Sequence, residues 1–128
     1  MSKLIIFILT LIIGHLYWRT LFYIAPHVLK EPFTRTKTGL QVHHMHYGIL
    51  FVLVASVTLL LNGESIFVVV LLGLGLGLML DEFIPSLLLA GDRQLELEVY
   101  RKSFSKTVYL FLIIILVIFL LGFLNNMF

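Results

Sequence analysis

Four stretches of the chain are apolar over the length that crosses a bilayer: Leu4 to Ile24, Val42 to Leu61, Ile66 to about Pro85, and Val108 to Leu124. A hydrocarbon core about 30 Å thick takes about 20 helical residues at 1.5 Å each, so these runs predict helices over about 4–24, 39–61, 65–86 and 107–124. Between them the pattern breaks sharply. Residues 25–38 carry Pro26, Lys30, Glu31, Pro32, Arg35 and Lys37 and read as a basic loop, and Asn62-Gly63-Glu64-Ser65 reads as a tight turn. Residues 87–106 include Asp92, Arg93, Glu96, Glu98, Tyr100, Arg101 and Lys102, which predict an amphipathic surface helix between the third and fourth spans. The expected fold class is all-α: a polytopic membrane protein, a four-transmembrane-helix bundle forming a single domain over 1–128. Lys3 ahead of the first run suggests a signal peptide, but no small-residue cleavage site follows, and the run is read as a retained helix.

The polar exceptions inside the apolar runs are few and spaced. His15, Arg19 and Tyr23 recur at i, i+4, i+8, a single helical face expected to look inward. Thr38-Gly39-Leu40-Gln41 fits a capping box, which starts the second helix just before His43-His44-Met45-His46-Tyr47 and makes the histidines helical. In the third run Gly73, Gly77 and Asp81 share a stripe at i+4 spacing. The two glycines allow a neighbouring helix to approach closely, so Asp81 is expected to face that same neighbour, with Glu82 about 100° further round. Gly75 lies off the stripe and is assigned to packing. Pro85 has no N–H for the carbonyl of Asp81, which leaves a backbone oxygen free beside the carboxylates.

Composition agrees with a membrane solvent: of 128 residues, 60% are hydrophobic and 12% charged, and the mean hydropathy is +1.08. The chain has no cysteine, so disulfides and thiolate chemistry are excluded and His, Asp and Glu are the available ligands. The net charge is +2, and its distribution speaks to orientation rather than to nucleic acid. Lys30, Arg35, Lys37, Arg93, Arg101, Lys102 and Lys106 all follow spans one and three, against Lys3 on the other side, so those loops are expected in the cytoplasm and both termini outside. With that topology the histidines, Asp81 and Glu82 lie at one depth near the cytoplasmic face, and Arg19 falls at about that level.

A charge at depth costs roughly 2.5–3.5 kcal/mol on insertion scales, so the carboxylate pair has to be neutralised by a proton, by Arg19 or by a metal. Two imidazoles with one or two carboxylates make a donor set suited to zinc, iron or manganese. The expected metal ligands are His43, His44, His46, Asp81 and Glu82, with Glu82 or Glu98 as general base towards a metal-bound water. Such a site would serve a membrane metallohydrolase acting on a lipid-like substrate. The competing account of the same residues is a hydrogen-bonded network of histidines, carboxylates and Arg19.

The pattern His43-His44-x-x-x-Gly48-Ile49, then Gly73-Leu-Gly75-Leu-Gly77-Leu-Met-Leu-Asp81-Glu82-Phe83, then Glu98-Val99-Tyr100, resembles a family of small uncharacterised integral membrane proteins of bacteria and archaea. The resemblance covers roughly Val42 to Tyr100 and implies His43, His44, Asp81, Glu82, Glu98 and Tyr100 as the family's polar positions; His46 falls where the family carries an apolar residue. It implies no reaction. Two further functions compete: a haem-binding or electron-transfer anchor using His15 and one of His43, His44 or His46 as axial ligands, and a non-catalytic subunit, assembly protein or proton pathway. The expected partners are the lipid bilayer and a homo-oligomer or larger membrane complex.

Overall fold

The computed structural model describes residues 2–25, 42–88 and 93–125, with backbone alone over 93–97. All of the regular structure among them is helical: α1 Lys3–Ile24, α2 His44–Asn62, α3 Ile66–Leu87, α4 Arg93–Lys102 and α5 Phe104–Leu124. Four of these (α1, α2, α3 and α5) are long and apolar enough to cross a membrane, at 22, 19, 22 and 21 residues. Local chemistry sets their starts. Ser2 accepts from the Ile5 amide and Ser65 from the Val68 amide, both at 3.3 Å, each satisfying one of the amides a helix start leaves unpaired. Gly63 closes the α2–α3 turn with φ 75°, a conformation that favours glycine. Lys3 pairs with Glu64 across that end of the molecule at 3.0 Å.

The central helix is α3, against which α1, α2 and α5 all pack. Its glycines serve two neighbours. A Cβ on Gly77 would lie 2.3 Å from the Leu11 carbonyl oxygen, and one on Gly73 would lie 2.0 Å from Thr10 Oγ1, so this stripe faces α1 as a single neighbour, in keeping with its spacing. Gly75 faces the other way. A Cβ there would meet the Gly48 carbonyl oxygen at 2.8 Å, and one on Gly48 would meet the Gly75 carbonyl oxygen at 2.6 Å, so α2 and α3 touch backbone to backbone.

One expectation is corrected. α2 does not begin at residue 39: His43 is extended, with φ −98° and ψ 159°, and acts as the N-cap, while the first helical residue is His44. The physical reason is a cap supplied by another helix, since the Met45 amide of the first turn donates to Glu82 Oε2 at 3.1 Å. The basic loop and the Thr38–Gln41 cap lie outside the described residues. The helix expected between spans three and four exists as α4 but runs directly into α5. Ser103 between them is in the right-handed helical region, and the Ser103 and Thr107 amides donate to Val99 and Ser103 carbonyls at 2.9 and 3.0 Å.

Candidate functional site

Asp81 and Glu82 are consecutive on α3, 0% and 4% exposed, and their side chains diverge towards the two neighbours. Asp81 faces α1. Arg19, 4% exposed, donates from Nε to Asp81 Oδ1 at 2.6 Å and from Nη2 to the Asp81 backbone carbonyl at 3.0 Å. That carbonyl is the one Pro85 leaves unpaired, and Pro85 is buried beside it within the helix. One guanidinium thus satisfies both the charge and the broken backbone bond. The other carboxylate oxygen, Oδ2, accepts from the Tyr100 hydroxyl. The Tyr100 ring lies under the Arg19 guanidinium at 4.2 Å and Phe104 at 5.4 Å, so aromatic faces complete the cation's shell.

Glu82 faces the start of α2. Its Oε1 lies 2.5 Å from His43 Nδ1, and its Oε2 takes the Met45 amide and lies 3.3 Å from His44 Nδ1. His44 joins the two halves: its Nε2 is 3.0 Å from Asp81 Oδ2, so each ring nitrogen has a carboxylate within 3.3 Å. The Nε2 contact is close but set off the line of a hydrogen bond. Deeper on α1, His15 stacks flat on Phe111 at 3.9 Å, with its Nδ1 3.9 Å from Asp81 Oδ1.

Charge accounting decides what the arrangement holds. Two carboxylates and one guanidinium leave one negative charge, which a single proton on the imidazoles neutralises. A divalent ion with neutral imidazoles would leave a net positive charge in a buried place. Among the described residues, no group of three or more His, Asp or Glu side chains is arranged to hold a metal ion. The two nitrogens of His44 point to opposite sides of its ring, each towards a different carboxylate. Arg19, one of the three neutralisers expected from the sequence, is the counter-charge paired with Asp81.

Of the expected site residues, His43, His44, Asp81 and Glu82 come together, and two do not join them. His46 is exposed and its Nδ1 accepts the His43 amide at 3.1 Å, so it shapes the start of α2 instead. Glu98 is exposed and paired with Lys102 at 2.6 Å, one turn along α4, and that pairing holds its carboxyl below the usual glutamate range. Tyr100, two residues on and on the other face of α4, is the member of that helix that reaches Asp81. Its burial, with the Asp81 charge next, pushes the phenol well above the ordinary tyrosine range. The motif resemblance pointed to Tyr100, whereas composition and spacing gave no sign of it. Of the face shared by His15, Arg19 and Tyr23, the first two are buried, and Tyr23 is 55% exposed at the helix end, edge-on to Phe22 and Phe104. No family model, curated protein or solved structure matches the chain.

Proposed function

We propose that the chain is a polytopic membrane protein whose chemistry is proton transfer at the Glu82–His44–Asp81 site, serving an amphiphilic substrate at the membrane surface. In this reading α1, α2, α3 and α5 span the bilayer, and the excess of basic residues after α1 and α3 puts the site near the cytoplasmic face with both termini outside. Labelling of Arg35→Cys and Lys102→Cys from the cytoplasmic side supports this topology; labelling from outside intact cells contradicts it.

The observation that carries the reading is one imidazole within 3.3 Å of two carboxylates. Neutral imidazole has one N–H and one lone pair, so it can take a proton at one nitrogen while releasing one at the other. A proton on Glu82 passes to His44 Nδ1, and Asp81, which stays ionised beside Arg19, stabilises the imidazolium that forms. His43, whose side chain is 13% exposed against 5% for Glu82, lies on the outer side of this chain of groups. Asp81, held by Arg19 and Tyr100, orients His44 as a buried carboxylate orients a catalytic histidine. The lipid-like substrate expected from the sequence is retained, and the metal gives way to a proton. The haem reading finds less support, because the His15 ring is already stacked on Phe111.

Infrared difference spectra of the reconstituted protein after a pH jump test this. The expected result is a carboxyl band change that disappears in Glu82→Gln and in His44→Gln while helix content is retained. A band change unaltered by both substitutions would sink the proposal.

A further inference from the structure

A cavity of about 260 Å³ lies between α1 and α2 with α3 as its floor, and the site described above does not use it. Leu74 and Leu78 form the floor, and Gly14, Trp18, Tyr47 and Phe51 form the walls. Ile13 and Tyr17, 56% and 60% exposed, stand at its rim, so it opens outward along helices apolar enough to face hydrocarbon. One end touches the polar site: the Trp18 ring stacks on His44 with centroids 5.5 Å apart and planes 22° from parallel. From there the lining runs away from Asp81 and Glu82, back along α1 to Ile13, forward along α2 to Phe51 and back along α3 to Leu74. Polar chemistry at the surface end and an apolar slot running inwards match the polarity of a lipid in the same leaflet.

We infer that this groove binds one acyl chain of an amphiphile, placing the polar group at the other end of that chain against His44 and Glu82. The inference rests on the proton-transfer reading for the fate of the polar group, and on the groove itself for the chain. The slot exceeds the roughly 150 Å³ of an apolar cavity that takes a benzene ring, so it accepts a stretch of chain rather than a whole lipid. Continuity between groove and polar site argues for an amphiphile over a second helix, since a helix about 10 Å across is too wide for the slot.

Trp18 is the chain's one tryptophan and reports on the groove directly. Protein in phosphatidylcholine vesicles is titrated with dibromostearate, whose bromines quench tryptophan on contact. The expected result is saturable quenching of Trp18 at low mole fractions of probe. A tryptophan moved to the outer face of α2, in Trp18→Phe/Leu60→Trp, should instead show unsaturated quenching. Ile13→Phe at the exposed rim and Leu74→Phe on the floor should abolish the saturable component; if the floor variant does not fold, the rim variant decides. Quenching of Trp18 that matches the outer-face position, or that survives the rim variant, overturns the inference. Saturable quenching without the pH-dependent infrared change would remove the proton-transfer reading and leave the groove, and the reverse result would remove the groove alone.

Discussion

The two faces of α3 carry adjacent carboxylates and treat them in opposite ways. On the α1 face, Asp81 is enclosed by a guanidinium, a phenol and the backbone break at Pro85, with every partner on a helical segment. On the α2 face, Glu82 sits at the mouth of a helix start, among two imidazoles whose side chains are each 13% exposed and one backbone amide. The first face is a lock, because removing either Arg19 or Asp81 strands a buried charge. The second is adjustable, because an imidazole can take up or release a proton and a guanidinium does not. His44 touches both, so the lock orients a group that the other face can protonate.

The largest expected effect comes from separating the faces from their neighbours. Gly77→Leu drives a side chain into the Leu11 carbonyl and pushes α1, with Arg19, away from Asp81. A loss of more than about 4 kcal/mol, or failure to fold, is expected in detergent unfolding experiments. Next is the lock itself: Arg19→Ala leaves Asp81 buried without its cation and should cost about 3–5 kcal/mol, whereas Arg19→Met with Asp81→Leu should recover much of that. If the double variant is no more stable than the single one, Arg19 is not principally the counter-charge of Asp81.

Tyr100→Phe should cost about 1.5–3 kcal/mol, the range for a hydrogen bond to a charged group. It also carries a pH signature. The folded phenol is raised above its ordinary value of 10.0, so the tyrosine's contribution is complete below that pH and is lost as the solution becomes more alkaline and the unfolded chain ionises first. The wild type should therefore lose stability above about pH 10 more steeply than Tyr100→Phe, as read by circular dichroism on alkaline titration. Glu98→Gln gives the smallest effect, no measurable change in stability, because the Lys102 pair is exposed and screened by solvent. A loss of function in that variant would restore Glu98 to the site.

Much of this was legible beforehand in the spacing of apolar residues and glycines. The four long helices follow from run length, and the direction of Asp81 follows from the Gly73/Gly77 stripe. The freed Asp81 carbonyl follows from Pro85, since each of these depends on chemistry within one helix. What sequence reading could not supply was chemistry exchanged between helices. The cap of α2 comes from Glu82 on α3, so a local capping box placed the start too early, and His46 took a local role that helical spacing had not suggested. Tyr100 and Glu98 differ by two positions on α4, and only the packing of that helix against α3 decides which of them meets Asp81. Arg19 was within reach of the carboxylates by depth, but its grip on both the side chain and the backbone of Asp81 depends on the glycine contact that brings α1 against α3.

The central claim is that His44 links the two carboxylates through its two nitrogens. Solid-state nitrogen-15 spectroscopy of labelled histidine in lipid bilayers, with His44 assigned by its absence in His44→Gln, tests this most directly. The expected result is that Glu82→Gln shifts the Nδ1 resonance with little effect on Nε2, and Asp81→Asn shifts Nε2 with little effect on Nδ1. A His44 spectrum unmoved by both substitutions, or one with a nitrogen resonance typical of metal coordination, would contradict the account.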